Sequence, residues 1–525
     1  PDLIEWFSAS TGGSTVIGTG ATLPITTPDI YTAEVTYTTC GETVIFSDDV
    51  VVSQSAKTWN GSVNTNWYVH DNWTPSGVPT LSDCVLIPDV ALSNNRSPLA
   101  DHTNIPGTIP IPSILASALN LTVDTSGYLE IASGTNLQVM DWVRLDGTMD
   151  IRDSGSLIQV TESGHNINNN SGNGSINMER TVPGGVNAYD YVYWSSPTED
   201  DFNVTDISSA TGELIYEWNP TLNGVTHGDW IPASGIMTKG KGYIVRGLVS
   251  NAPVPANTAV FSGKPRNGVI TVPITRGTYT SGPYSGPGDT MATALDDNWN
   301  LIGNPYPSAI SYASFIAANS HIDGTIYFWT HQTAPSYQDS PFYFDFVYNY
   351  SDDYIDSNYT GSNPPSFNGD IAAGQAFFVL MRDQSQGTST SEDIIFNNTM
   401  RHETLINSQF YRTNESSGTR PSDIERHRIW LDLINPNEIA TSILIGYVEG
   451  ATNGNDRLYD GYEFAGSAIS FYSLIGEDKM SIQGKALPFE ETDTVPLGIV
   501  IPENGNYAIA INSLDGLFDT TGQTI

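Results

Sequence analysis

The sequence predicts an all-β chain: a partial immunoglobulin-like sandwich, a short right-handed parallel β-helix, then further β-sandwich-type domains. Three observations predict it. Short alternating apolar runs recur along the 525 residues, 48 Gly and 31 Pro punctuate them, and helical spacing surfaces in a single place. A chain this long exceeds one core, so several domains of ~100 to 200 residues are expected.

Residues 1–54 alternate in period two through Ile4-Glu5-Trp6-Phe7 and Tyr31 to Tyr37, with a Gly12-Gly13 turn, and read as the C-terminal strands of an Ig-like domain. Residues 55–118 carry Trp59, Trp67 and Trp73 among prolines. Three tryptophans so spaced plug the open end of the next domain or, alternatively, form a sugar-binding platform. Residues 119–181 are that domain: Leu121-Thr122-Val123, Tyr128 to Ile131, Leu137 to Val139, Val143 to Leu145, Met149 to Ile151 and Leu157 to Val160, punctuated by Gly127, Gly134, Gly147 and Gly155. One glycine per short strand suits a solenoid of about three coils, each burying its apolar face on a neighbour.

Residues 182–400 continue as a sandwich-type domain, with one helix expected near Ser308 to Ala318 and Ser308 as its cap. The aromatic, acidic stretch from Tyr337 to Phe367 reads as an ordered insertion loop. Residues 401–420 read as a linker, and 421–525 as a C-terminal sandwich ending inside a strand. Pro1 opens without an initiator Met, so a piece of a longer protein is expected.

Lys and Arg number 20 against 58 Asp and Glu, for a net charge of −38, and charged residues make up 15% of the chain. Such a field repels phosphate backbones and anionic lipid, which argues against nucleic-acid partners. No apolar run approaches the ~20 residues of a membrane-spanning helix, and direct membrane insertion is not expected. With two cysteines, Cys40 and Cys84, stability must come from packed sheets.

Hydrolase, metalloprotease, P-loop and dinucleotide signatures are absent, so no catalytic residue and no organic cofactor is assigned. Eight scattered histidines read as structural. The acidic neighbours Asp200-Asp201, Asp296-Asp297, Asp352-Asp353 and Glu490-Glu491 read as solvated charge, because strand neighbours point to opposite faces. The best cation candidate runs from Thr452 to Gly461. Asn453, Asn455, Asp456 and Asp460 could ligate Ca2+, or the loop is a hydrogen-bonded turn.

Several signposts occur together: Trp59-Asn60-Gly61, Asn72-Trp73, Tyr193-Trp194-Ser195-Ser196-Pro197, Met237 to Tyr243, Phe261 to Pro265, Trp299 to Pro307, Gly374 to Val379 and Gly446 to Gly450. In combination and order they resemble the multidomain cell-surface proteins that Bacteroidota, flavobacteria above all, export by the type IX secretion system. The resemblance implies an extracellular or outer-membrane-surface address and the outer-membrane translocon as a partner during export. It also implies a C-terminal sorting domain that is not visible here, and contacts with surface polysaccharide or other cell-surface proteins. A non-enzymatic stalk or adhesin is the first functional expectation. An accessory region of a secreted polysaccharide-degrading enzyme is the second. Ig-like repeats of this kind pair their cysteine internally, so Cys40 and Cys84 are expected to remain thiols. Family O-glycosylation at Asp-Thr sequons would fall on Thr290, Thr494 and Thr520.

Overall fold

A computed structural model describes residues 2–9, 15–23, 29–39, 42–52, 56–91, 95–104, 115–182, 191–199, 202–207, 214–221, 228–246, 258–277, 298–330, 354–365, 367–382, 390–408, 424–436, 438, 440–463, 469–501 and 504–520. The chain is all β, and one α-helix, Tyr312–Ala318, stands among the described residues. Its cap is Ser311, whose side chain accepts from Ser314 N; Ser308, the expected cap, instead accepts from Arg401. The N-terminal strands Leu3–Ser8, Gly18–Thr19, Asp29–Thr39 and Glu42–Val52 form one antiparallel four-stranded sheet.

The solenoid has three faces. Cys84–Ile87, Asn120–Val123 and Val143–Leu145 run parallel on the first; Leu99–Ala100, Tyr128–Ile131, Thr148–Ile151 and Ser175–Thr181 on the second; Ala116–Ala118, Asn136–Val139 and Ser156–Gln159 on the third. Register places like on like: Val85, Leu121 and Val143 stack, as do Leu129, Met149 and Ile176, all buried. Outward positions between them are polar, which is the period-two pattern of a half-buried strand. Glycine is forced at one corner. A Cβ on Gly147 would lie 2.3 Å from Gly127 O, and one on Gly174 would lie 1.9 Å from Gly147 O, so three successive coils touch backbone to backbone there.

The parallel ladder starts well before 119. Ala56–Trp59 pairs parallel with Cys84–Ile87, and the first full coil lies within the segment read as a cap. Trp59, Trp67 and Trp73 are buried in the solenoid core, with ring centroids 5.0 Å and 4.7 Å apart in edge-to-face pairs. No aromatic face among them is open to a sugar. At the far end Gln159, fully buried where Val139 stood one coil earlier, exchanges two 2.8 Å hydrogen bonds with Asn170. Nor does the second face stop at 181, because Thr258–Gly263 adds to Ser175–Thr181 antiparallel.

Beyond it, a four-stranded sheet (Tyr191–Trp194, Ile215–Asn219, Asp229–Pro232, Tyr243–Arg246) and a five-stranded one (Trp299–Gly303, Ile322–Trp329, Tyr354–Ser357, Ser362–Asn363, Ala376–Met381) share an aromatic core. Strand alternation divides the labour: Phe378 faces Tyr193 and Trp299, while Phe377 faces the helix through Phe315. Part of the expected insertion loop is therefore sheet, over Tyr354–Ser357 and Ser362–Asn363; residues 331–353 lie outside the described ones.

The C-terminal region is a seven-stranded mixed sheet whose central strands Ala440–Val448 and Asp478–Lys485 run parallel. Ile443, Ile445 and Tyr447 face its own core, whereas Leu444 and Gly446 turn toward the preceding domain, where a Cβ on Gly446 would meet Thr360 at 2.5 Å. Coverage on both faces explains the unbroken apolar run Ile443 to Val448.

Candidate functional site

The segment read as a linker begins as a clamp. Asn398–Met400 is a 3-10 turn, and from it Asn398 Nδ2 donates to Thr161 O at 2.7 Å. Further on, Asn407 Nδ2 donates to Gly155 O at 2.7 Å and Asn136 Nδ2 donates to Glu403 O at 2.7 Å. Residues 398–407 thus cover the outer edge of the solenoid's third face, an edge that unpaired would invite other strands. Arg401 is the centre of the clamp. Its guanidinium donates to Leu157 O (2.6 Å), Asn267 Oδ1 (3.0 Å) and Ser308 Oγ (2.9 Å), and lies 4.7 Å over the Tyr306 ring. Complete burial pushes its pKa down to about 10 against the opposing pull of Tyr306. Arg180 is equally buried and donates to Asn407 O at 2.7 Å; burial lowers it to about 10 too, although Asp153 pulls the other way.

Above this clamp opens a cleft of about 360 Å³, lined by Asn166, Asn168, Glu199, Lys239, Arg266 and Asn267, with Ile270 as its apolar patch. Its walls come from separate stretches of chain. Asn166 and Asn168 follow the last coil, Asn166 N donating to Val269 O at 2.7 Å; Glu199 N donates to Lys264 O at 2.8 Å and Arg266 N to Pro197 O at 3.2 Å. Gly268, at φ +77°, makes the turn between Arg266 and Ile270. Lys239 reaches Asn166 Oδ1, and Asn168 Nδ2 donates to Glu199 Oε1 at 2.9 Å. Lys264 Nζ lies 3.1 Å from Glu199 Oε2 and balances its charge. Among the described residues of the lining Glu199 is the one carboxylate, and no Ser, Cys or His side chain is among them. This arrangement suits recognition of a polar molecule.

The Asn/Asp loop is a docking element. Asp456 Oδ2 accepts from Thr452 N, and Asp460 accepts from Asp456 N (2.6 Å) and Gly484 N (2.7 Å) through different oxygens. Asn453 Oδ1 accepts from Ala486 N at 3.3 Å, and Asn455 turns its Nδ2 to Tyr462 and Asp478. The four side chains are engaged by separate partners, three accepting from backbone N–H groups and Asn455 donating, an arrangement unlike a Ca2+ cage, and no group of three or more His, Cys, Asp or Glu positioned for a metal occurs among the described residues. The loop holds the C-terminal sheet to the central domain. Arg457 donates to Ile322 O (2.7 Å), Asn319 O (2.6 Å) and Ile316 O (3.1 Å), Gly324 N donates to Arg457 O (2.8 Å), and Thr325 Oγ1 donates to Asp460 O (3.0 Å).

Thr494 is exposed beside Asp493, whose carboxylate is tied to Lys485 at 2.8 Å and to Tyr447 at 2.8 Å. Thr520 is exposed as well, its hydroxyl donating to Leu517 O at 2.6 Å. Thr290 and Cys40 lie outside the described residues. Cys84 is half-buried in the solenoid's first face, 3.8 Å from Asn120 Nδ2.

None of the cleft residues stood out as a site in the sequence, although a signal existed. From Trp230 to Gly288 the chain has six Lys or Arg and no Asp or Glu, against an overall excess of 58 acidic over 20 basic residues. A family model described as a domain of unknown function (DUF8693) matches residues 58–525, beginning inside the strand that opens the solenoid ladder. No curated protein and no solved structure matches the chain.

Proposed function

The chain belongs to the DUF8693 family over residues 58–525, and we propose that it is a non-enzymatic spacer of an extracellular surface protein, holding its neighbours at a fixed geometry. One observation carries this reading: successive β modules are joined by buried or half-buried side chains where flexible linkers are usual. Arg401 and Asn407 fasten the solenoid to the central domain, and Arg457 fastens that domain to the C-terminal sheet. Ordinary interdomain contacts are more polar and permit relative motion, whereas a segment that transmits force gains from joints that cannot hinge. The family match also runs across all three modules as one unit. Export by the type IX route, residence at the outer-membrane surface and attachment through surface polysaccharide or neighbouring surface proteins complete the proposal. They are supported by the motif resemblance and by an acidic, lightly charged composition.

Hydrogen exchange in rising urea, read region by region, tests the mechanical part. The solenoid and central domain should lose protection together, and Arg401→Ala should split them into two steps. Independent unfolding of the two in the unmodified chain would remove the reading. Protease shaving of intact host cells tests the address, since protection of the chain inside unbroken cells would contradict it. The purified chain should turn over no polysaccharide, ester or peptide.

A further inference from the structure

We propose that the free edge of the strand Ala508–Asp515 is a self-association surface, on which two copies of the chain pair antiparallel about a two-fold axis, a role beyond that of a spacer. The first argument is the edge. The strand pairs with Arg426–Ile434 on one side, and among the described residues no strand lies on the other. Its N–H and C=O groups on that side form a template for a further strand. Several other edges of the protein are blunted by the usual devices: Glu42–Val52 includes Asp48 and Asp49, Asp229–Pro232 is four residues long and ends in proline, and Ser362–Asn363 is two residues long. Ala508–Asp515 has no proline and no charge before Asp515, which is held by Arg428 at 2.8 Å. Ile509 and Ile511 are 55% and 50% exposed, although they sit opposite Leu433 and Leu431 on the face of the sheet's own core. That core therefore runs on, uncovered, to the edge.

The second argument is that the strand is complementary to itself. Facing residues of an antiparallel pair share one face of the sheet, so a two-fold axis normal to the sheet passes between a residue and its own copy. Centred on Ala510, the axis sets Ile509 of each chain against Ile511 of the other. Each exposed isoleucine then gains an apolar cross-strand neighbour, and the small Ala510 meets itself on the opposite face. Charge favours the same place. A chain of net charge −38 repels its own copies, yet from Val495 to Leu514 its sequence has one charged residue, Glu503, which lies outside the paired run. Asp432, opposite Ala510 on the next strand, accepts from Ser442 and Asn512. It would stand three strand spacings from its own copy, about 14 Å and beyond a Debye length of about 8 Å. The contact is short. A register shift at Trp430 and Leu431 leaves Asn512 as an extra residue, so the flat run ends there and pairing is confined to residues 508–512. Weak association, with a dissociation constant of about 10 to 100 μM, matches an interface of that size.

Sedimentation of the full chain from about 1 to 500 μM tests the assignment. A reversible monomer–dimer equilibrium is expected, and Ile509→Lys, at an exposed position, should weaken it at least about tenfold at unchanged Tm. Cross-linking reads the register. Ala510→Cys, in a chain with Cys40→Ser and Cys84→Ser and with oxidised glutathione as oxidant, should give a disulfide-linked dimer, because a residue facing its own copy has Cβ atoms about 5 Å apart, close to disulfide geometry. In the same background Ile509→Cys and Ile511→Cys should each form little disulfide alone and cross-link when mixed. Three results would overturn the proposal: a monomer throughout the concentration range, association unaffected by Ile509→Lys, or a disulfide dimer from Ile511→Cys alone where Ala510→Cys gives none. Each leaves the spacer reading intact, since that reading stands on unfolding cooperativity and not on association.

Discussion

In the solenoid a buried side chain sits on its counterpart from the coil below. In the C-terminal sheet one face packs on the region's own core and the other face sits on another part of the molecule. Val85, Leu121 and Val143 form a column closed at one end by three tryptophans and at the other by Gln159 and Asn170. The C-terminal sheet instead buries Leu444 and Trp430 toward the central domain, Trp430 Nε1 donating to Ser362 O at 2.9 Å, while its outer strands leave Leu497, Ile499, Ile509 and Ile511 exposed. The first region is stabilised by repetition and the second by docking. Substitutions should therefore act locally in one and at a distance in the other.

Arg401→Ala should have the largest effect. It leaves Leu157 O, Asn267 Oδ1 and Ser308 Oγ without their shared donor and opens a void over Tyr306. A loss of about 4 kcal/mol is expected, because hydrogen bonds to charged groups are each worth ~1.5 to 3 kcal/mol. Chemical denaturation should show it, and Arg401→Lys, a point charge without the fork, should recover less than half. Gly147→Ala comes next, at about 3 kcal/mol, since the new Cβ meets backbone oxygens of Gly127 at 2.3 Å and Asp124 at 2.4 Å that cannot move aside singly. The damage should be confined to the solenoid in hydrogen exchange. A spread into residues 426–515 would contradict the local character assigned to that region.

Arg457→Ala sharpens the other half of the comparison. Losing three carbonyl contacts to Ile316, Asn319 and Ile322 should cost about 2 to 3 kcal/mol. The cost should appear as early unfolding of the C-terminal sheet with the solenoid unchanged, read by exchange at Leu444 against Leu137.

These differences decide what could be read in advance. The solenoid was legible from Leu121 to Val160, where short alternating strands and glycines repeat at close intervals. Its start was not, because Ala56–Trp59 and Cys84–Ile87 are four-residue strands separated by a long Trp- and Pro-rich excursion. The clamp was illegible for another reason. Arg401 and Asn407 look like polar linker residues, and their burial arises from partners 244 and 252 residues away, which no local window contains. In the Asn/Asp loop the residue types alone left ligation open beside the hydrogen-bonded turn, and orientation toward separate backbone donors favours the turn. The basic stretch that contributes to the cleft was legible but averaged away, because the net charge of the whole chain hides it.

The smallest effect concerns pH, and it falls again on the docked sheet. Asp460 is buried, and desolvation, with help from the Asp456 and Asp323 carboxylates, raises its pKa to about 7 despite backbone donors from Asp456 and Gly484. Between the ordinary carboxylate value of 3.8 and that value, the folded chain holds a proton that the unfolded chain releases. Its contribution to stability is therefore complete below 3.8 and disappears as pH rises through about 7. Unfolding of the C-terminal sheet should become easier by about 2 kcal/mol from pH 5 to pH 8. Glu463, also raised by burial, acts in the same direction, so Asp460→Asn should flatten the slope without abolishing it. Asp493 works the opposite way, since the hydrogen bonds from Lys485 and Tyr447 outweigh its desolvation and lower its pKa, and its contribution is lost below the window measured. In the solenoid burial also raises Asp141, opposed by the hydrogen bond from Asn169, but that carboxylate is only half-buried and lies outside the stacked columns, so the solenoid's urea midpoint should fall less across the same range. An Asp460→Asn variant with an undiminished slope would assign the titration to Glu463 and detach the docking loop from the pH response.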